Sequence, residues 1–542
     1  MPSSSRNGVH STPCGARPGG SGKAVGFAQA LPMVGGKDHR QAPKTPLAAA
    51  TRCPRNYGGV SYFDSVSRWH MKKFLIADCV PMTFVIAGVV GLMYLWLSAD
   101  AAIDVKERLP GGDSRPTDAA GADEPIKIVG ALVTSDGVPA DLSGAWPRFR
   151  GANYDAISTE PMTLARTWPA EGPRVLWSLD VGEGYAGAAV LDGRVYLLDY
   201  DQGKQADVIR CLSLNDGREI WRYSYPVRIK RFHGMSRTVP AVTDKYVVTL
   251  GPKGHVTCLD SKTGEFRWML NLVKEYGTVI PQWYAAQCPL IDDDKAIIAP
   301  AGTVLMLAVD CATGEIVWQT PNPDKWVMTH SSVAPMEFQG SRFYVYCGGS
   351  TDRGGVVGVS AQDGQILWKT EEWRVRTNVP MPLVIGDDRI FLTAGYGQYE
   401  SGCMMLRLVE DNGRIVARSE FKHPTAVFGS MQHTPILYDG HLYGVGMDKQ
   451  LACLDLEGKV VWTSTSANTF GSGPYAIAGG LLYVLNDSGM LTLVEAAPSG
   501  YVPLARAKVL SGIESWGPMA IASGRLIVRD LNRMICLDIA GQ

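Results

Sequence analysis

The sequence predicts an all-β protein: an eight-bladed β-propeller of four-stranded antiparallel blades, closed by an N-terminal strand and preceded by one transmembrane helix. Seven blades is the fallback count. Three observations carry this. A Gly followed four residues later by Trp recurs with a period in the forties. Turn signals bracket short β-branched and aromatic runs in every period. Glycine and tryptophan are abundant, 60 and 14 of 542 residues, where glycine usually makes up about 7%.

The pairs are Gly217 to Trp221, Gly264 to Trp268, Gly314 to Trp318, Gly364 to Trp368 and Gly458 to Trp462, while Gly413 to Ala417 keeps the register with the aromatic lost. The anchors at 221, 268, 318, 368, 417 and 462 lie 47, 50, 50, 49 and 45 residues apart, the size of one four-stranded blade. A strand ending in Asp precedes the Gly, as in Cys258-Leu259-Asp260 and Ala308-Val309-Asp310. Thr263-Gly264, Thr313-Gly314 and Asp363-Gly364 then supply the positive φ of a tight hairpin. Upstream, a Pro leads through another turn into a run such as Tyr246-Val247-Val248 or Leu481-Leu482-Tyr483-Val484. Each Trp is expected to wedge between neighbouring blades.

Units begin near Ala186, Thr238, Gln287, Ser332, Val379, His433, Gly473 and Trp516. The last holds three strands before the chain ends: Pro518-Met519, Arg525–Val528 and Met534–Asp538. Its outer strand is expected from the front, where Val175-Leu176-Trp177 matches Ile316-Val317-Trp318. Closing the ring in this way removes exposed sheet edges. The propeller is assigned to residues 173–542, about 46 residues per blade.

Residues 1–70 are polar, mildly basic and rich in Gly, Pro and Ser, a disordered or mis-annotated tail. The stretch Gly19–Ala24 misses a phosphate loop, having Arg17 for the first Gly and Ala24 after the Lys. Residues 71–99 read as a signal anchor. From Cys79 to Ala99 no residue is charged, and 21 residues span about 30 Å of hydrocarbon as a helix. Arg68, Lys72 and Lys73 before it, with Asp100 and Asp104 after it, place the N-terminus in the cytoplasm and the propeller in the periplasm or extracytoplasmic space. Ala99-Asp100-Ala101 offers the competing reading, a cleaved signal. Residues 100–143 read as a flexible linker and residues 144–172 as a separate lead-in.

Composition excludes two classes. With 46% hydrophobic and 19% charged residues the chain buries a core, which rules out disorder as its dominant state. A net charge of -1 gives no footprint for nucleic acid. Among eleven cysteines there is no Cys-x-x-Cys and no adjacent pair, which removes zinc-ribbon, haem and thioredoxin-like readings. Cys211, Cys258, Cys453 and Cys536 share one strand position in different blades and are expected buried and free.

The repeat Leu259-Asp260 … Thr263-Gly264 … Trp268 and its copies resemble those of the PQQ (pyrroloquinoline quinone) dehydrogenase-like β-propeller family, over about 370 residues. Trp146-Pro147-Arg148-Phe149-Arg150-Gly151-Ala152-Asn153 resembles the Trp-Pro-x-x-Arg-Gly-x-Asn lead-in of exported members; on physical grounds it is expected to pack as a lid over one mouth of the ring. Within the family, quinoprotein dehydrogenases hold PQQ near the axis with a vicinal Cys-Cys disulfide, Ca²⁺ on Glu and Asn, and an Asp base. Other members are scaffolds, such as the lipoprotein of the outer-membrane barrel-assembly machinery. No two cysteines are adjacent in this chain, and no lipidation Cys follows Leu97-Ser98-Ala99. The resemblance therefore implies the non-dehydrogenase exported type.

Ligand candidates lie just before the inner strands, at the channel mouth. They are His233 and Arg237; Gln282, Trp283 and Gln287; His330 and Ser332; Arg376 and Asn378; Gln432 and His433; and Trp516. Donors, cations and Trp faces converging on one axis suit an anionic or aromatic ligand, against the alternative of a solvated funnel. No metal site is expected, and Asp292-Asp293-Asp294 reads as a solvated turn. No Gly-x-Ser-x-Gly or His-Glu-x-x-His motif occurs. The expected function is a membrane-anchored, non-catalytic protein-binding or scaffolding module whose partners are other exported or membrane proteins. The alternative is a PQQ-dependent alcohol or sugar dehydrogenase with PQQ and Ca²⁺.

Overall fold

The computed structural model describes residues 130–396 and 402–541, with Met93 before them. Among the described residues no helix is long and apolar enough to cross a membrane. The tail 1–70 and the 79–99 segment, Met93 apart, lie outside the described residues.

Eight antiparallel sheets follow one another along the chain. Each starts with an innermost strand of two to five residues and steps outward. The innermost strands touch between blades 1 and 2, 2 and 3, 4 and 5, and 7 and 8, and Ala520–Ala522 of blade 8 meets Ala189–Leu191 of blade 1. Blade 8 is completed by Val175–Asp180, antiparallel to Arg533–Asp538, as the sequence predicts. Strands between two neighbours are buried on both faces, so Tyr246–Leu250 and Leu481–Leu485 read as unbroken apolar runs. Two short strands extend the pattern. Ile157–Ser158 runs parallel to the inner strand of blade 7. Ala131–Thr134 covers the outer edge of blade 1 and falls inside the stretch expected as linker. Its four exposed residues have no alternation to mark them.

One bulge recurs in every blade, beside the residue that pairs with the wedge. It follows Cys211, Cys258, Ala308, Gly358, Met405, Cys453 and Leu493, and in blade 8 it lies between Val175 and Trp177. Opposite stand Trp221, Trp268, Trp318, Trp368, Phe421, Trp462 and Ala505, with Trp177 opposite Cys536. This register corrects the reading of blade 5. Its outer hairpin, Gly402–Asp411 with Arg414–Pro424, is longer than the others, so Phe421 rather than Ala417 holds the wedge position. The aromatic is displaced by the longer hairpin. In blade 7 the position falls to Ala505, and Trp168 from the lead-in stacks on Tyr483 at 6.3 Å. Trp462 sits on Tyr443 in the same way at 6.0 Å.

Each wedge locks its blade to the next. Indole nitrogens of Trp177, Trp268, Trp318 and Trp462 donate to the carbonyls of Leu214, Cys311, Ala361 and Ala497, in the following blade, at 2.9–3.2 Å. The rings also lie against the turn glycine there. A Cβ on Gly217, Gly264, Gly314 or Gly364 would fall 2.5–2.9 Å from Trp177, Trp221, Trp268 or Trp318. Gly458 meets Phe421 at 2.6 Å. These glycines serve two needs at once: a φ near +75° and room for the wedge.

Cys211, Cys258, Cys453 and Cys536 fill the slot opposite the wedge and are buried and free, as are Cys288, Cys311, Cys347 and Cys403. Burial pushes the Cys211 and Cys536 thiols up to about 12. The Asp triplet is a turn, with Asp293 and Asp294 at φ of 50° and 54°. Asp292 additionally ties blade 3 to blade 4, accepting two bonds from Arg342 at 2.7 and 2.9 Å and one from Tyr344 at 2.7 Å.

The seam between blades 1 and 2 holds a polar cluster the sequence did not single out. Asp207 pairs across blade 1 with Tyr225, and Thr257 across blade 2 with Thr249. Asp207 is fully buried. Burial raises its carboxyl to about 7, opposed by the neighbouring Tyr225 hydroxyl.

Two measurements test these packing assignments. Gly264→Ala combines a positive φ with a clash on Trp221, whereas Gly413→Ala, with φ +74° and nothing within 4 Å, carries backbone strain alone. Thermal unfolding is expected to place Gly413→Ala about 1 kcal/mol below the parent and Gly264→Ala lower by a further ~1–3 kcal/mol; equal losses would sink the wedge assignment. For Asp207, the folded state holds the proton more tightly than the unfolded state. Its stabilisation is therefore complete below about pH 4 and lost as pH rises through about 7, on the order of 4 kcal/mol in all. Asp207→Asn is expected to flatten the fall in Tm between pH 4 and 8 and to raise Tm at pH 8.

Candidate functional site

The lead-in fills one end of the channel. Trp146 bridges to Val190 of the innermost strand of blade 1, and the Val242 amide of blade 2 donates to the Pro147 carbonyl. Ile157 and Ser158 pair with Ile477 and Ala478 of blade 7. Arg150 anchors the loop from the channel side, donating to the Thr434 and Pro435 carbonyls at 2.7 and 2.9 Å and to Tyr154 and Asp155. Burial lowers its guanidinium to about 10, so it stays charged at neutral pH. The contacts of Trp146, Ile157 and Ser158 involve the inner strands themselves, away from the loops that lead into them, whereas Arg150 reaches up the channel to Thr434 and Pro435, just before the inner strand Ile436–Tyr438 of blade 6. The expected lid is thus a plug at the far end.

What remains is a blind cup of about 340 Å³, with Phe149 of the plug in its wall and its mouth among the loops preceding the inner strands. Eight of the twelve candidates line it: His233, Arg237, Trp283, His330, Ser332, Gln432, His433 and Trp516. The other four do different work. Gln287 is buried and bonds both backbone groups of Ala299. Asn378 accepts from Trp373 Nε1 at 3.0 Å and its carbonyl receives the His330 amide, fixing that loop. Gln282 and Arg376 are exposed on the loops leading into blades 3 and 5.

The aromatic walls are tied in place. Trp516 Nε1 donates to Asp487 at 2.7 Å, and its ring lies 5.2 Å from that of Tyr185. Tyr185 donates to Glu514 at 2.5 Å, and burial together with this carboxylate raises its phenol. Trp283 sits 6.1 Å from His330 and 5.5 Å from Tyr396, whose hydroxyl accepts from Gln432 at 3.0 Å. His233, Trp283, Tyr284 and Glu514 all adopt left-handed φ of 55–72°. For bulky side chains that conformation is costly and persists only where surrounding structure holds it.

Electrostatically the cup is a low-dielectric site with one accessible cation. Arg237 lies 5.0 Å over the Tyr185 ring and donates through Nη2 to the Gly234 and Phe232 carbonyls at 3.0 and 3.3 Å. Its Nε is buried without a partner, and among the described residues it forms no ion pair. Burial lowers it to about 10. His330 and His433 are pulled down to about 4, by burial and the nearby cations Arg237 and Arg150 respectively, and are neutral at physiological pH. Ser332 Oγ accepts the Cys288 amide at 2.9 Å, and no carboxylate orients either histidine. No acyl-transfer or general-base constellation results.

The loops that lead into the inner strands carry a crown of exposed apolar side chains. Phe232, Val279, Val327, Val427 and Ile513 are 37–65% exposed, one in each of the loops leading into blades 2, 3, 4, 6 and 8. The first of these loops also carries Arg228 and Lys230, both exposed and without an ion-pair partner among the described residues.

Sequence reasoning missed Tyr185, Tyr396, Cys288, Val379, Met431 and Pro518 in the lining. Tyr185 stands immediately before the first unit, so the repeat register could have found it. Tyr396 follows the second strand of blade 5, at the longer hairpin that displaced the wedge, where the repeat gives no guide.

A family model described as outer membrane protein assembly factor BamB matches residues 204–457. The protein of that name from Moranella endobia (strain PCIT) is 21% identical over 377 residues, covering 67% of this chain and 76% of its own length. Among solved structures, a europium-containing methanol dehydrogenase gives a TM-score of 0.52 at 12% identity, over 72% of this chain and 90% of the other. Quinohemoprotein alcohol dehydrogenase from Comamonas testosteroni gives 0.51 at 14%, over 73% and 81%. At these identities the likeness to the solved structures is one of fold.

Proposed function

We propose that this chain, a member of the PQQ-like β-propeller family, is a non-catalytic scaffold held at a membrane by residues 79–99, with its propeller in the periplasm or extracytoplasmic space. It binds other exported or membrane proteins through the open mouth. The observation that carries this reading is the crown: five loops from five blades each present a large apolar side chain around one cup. Apolar side chains gathered on the loops of one propeller face, beside an open cup, suit a protein partner. The relative named as an assembly factor supports the same reading.

The dehydrogenase alternative was set against the residues present. Among the described residues, the lining of the cup contains no Asp, Glu or Asn to hold Ca²⁺ or act as base. The adjacent carboxylates are engaged, Glu514 with Tyr185 and Asp487 with Trp516 and the Ser472 amide. Cys288 is the one thiol among the described residues of the wall, and it is free, so they offer no disulfide to stack on a planar cofactor. These side chains do not fit PQQ with Ca²⁺. Titration of the purified protein with PQQ and Ca²⁺ to tens of micromolar is expected to give no bound chromophore and no alcohol- or sugar-dependent dye reduction.

The scaffold reading is tested by crosslinking in membranes followed by purification of the tagged chain. Partners are expected with the parent protein and not with the double variant Val279→Asp/Ile513→Asp. Both sites are exposed, so Tm should change little. Recovery of the chain alone from crosslinked membranes would refute the proposal.

A further inference from the structure

The cup and the crown together say what kind of group a partner must bring. Arg237 is the only Arg or Lys among the described residues of the cup lining; it is held among aromatic rings and forms no ion pair there, with Glu514, bonded to Tyr185, acting on it from beyond ion-pair distance. Its Nη2 is fixed by two loop carbonyls and its Nε is sealed off, which leaves the rest of the guanidinium toward the cavity. A cation taken out of water without a counter-ion is costly in the free protein and correspondingly favourable to pair. The rest of the wall is apolar or aromatic: Tyr185 and Trp516 on one side, Trp283 and Tyr396 on another, Phe149 from the plug. A ligand filling this space has an apolar body and one anionic group.

Size decides between a small molecule and a polypeptide. A molecule confined to about 340 Å³ would leave the crown uncovered and the cations Arg228 and Lys230 unanswered. An aromatic and Arg centre surrounded by apolar residues that exclude water is instead the anatomy of a protein–protein hot spot. Resting on the scaffold reading, we infer that the cup is the anchor pocket of the partner-binding face: the partner inserts a large apolar side chain between the aromatic walls and sets a neighbouring Asp or Glu carboxylate on Arg237. The strained loops around Trp283 and Glu514 hold the pocket open in advance, which lowers the ordering cost of binding.

The pocket chemistry is tested with the full chain and two hexapeptides, acetyl-Gly-Ser-Phe-Glu-Gly-Ser-amide and its Gln counterpart, followed by calorimetry and by quenching of the tryptophan emission. Saturable binding of the Glu peptide is expected, at least tenfold tighter than that of the Gln peptide. Arg237→Gln should abolish the preference, and Arg237→Lys should restore part of it, which separates charge from any loop rearrangement. Equal affinity for the two peptides, or no saturation by 10 mM, overturns the inference. So does N-acetylphenylalanine binding as tightly as the Glu peptide with no loss in Ile513→Asp, because the ligand would then be a small aromatic acid.

A photo-crosslinker placed at position 513 separates this inference from the reading it rests on. If the partners captured in membranes by the parent are lost in Arg237→Gln and retained in Arg237→Lys, the anchor stands. If they persist in Arg237→Gln, the scaffold stands and the anchor falls. If none is captured with any variant, both fall.

Discussion

The structure depends on one interaction repeated around a ring: an aromatic side chain of one blade seated against the outer turn of the next, on its glycine for Trp177, Trp221, Trp268, Trp318 and Phe421, and with its N–H on a neighbouring carbonyl for Trp177, Trp268, Trp318 and Trp462. No blade can bury its faces alone, because its middle strands are apolar on both sides. Truncating a wedge of this size typically costs about 3–5 kcal/mol, a large share of the stability of any domain. The constraint explains why glycine recurs at φ near +75° in these turns, and why the first strand of the ring, Val175–Asp180, must return to the last. Where the repeat drifts, Phe421 keeps the contact in blade 5, and in blade 7, where Ala505 holds the wedge position, Trp168 from outside the ring stacks on Tyr483.

Closing the ring creates the channel, and the lead-in decides what kind of space it becomes. Arg150 spends its donors on four backbone carbonyls, so the plug is an integral part of the fold. A through-channel becomes a cup with one entrance, lined by residues from many blades. Propeller geometry brings together side chains far apart in sequence, such as Tyr185 and Trp516, and leaves Arg237 without an ion pair among the described residues. The binding character of the mouth is thus a product of packing that serves stability first.

The sequence disclosed the blades well because each obeys the same short-range rules. Hairpin glycines, alternating strand signals and the wedge Trp all act within about 46 residues, so every unit start near Ala186 through Trp516 lies within a few residues of an observed inner strand. The failures are equally local. Ala417 was read as the wedge position because the register was counted from the turn, and a longer hairpin moves the wedge to Phe421. Ala131–Thr134 gave no signal because an exposed edge strand needs no apolar alternation.

For the candidate site, the register alone pointed to the mouth, and eight of twelve named residues line the cup. Gln287 and Asn378 carry the same polar character in sequence, yet they turn inward to satisfy backbone groups. Only three-dimensional packing separates these roles, because both satisfy a polar residue before an inner strand. The number of blades, their order and their closure follow from local chemistry repeated along the chain. Which end is plugged, which cation is left without a partner and which apolar side chains crown the opening depend on contacts between residues hundreds of positions apart, for which the linear pattern holds no signal.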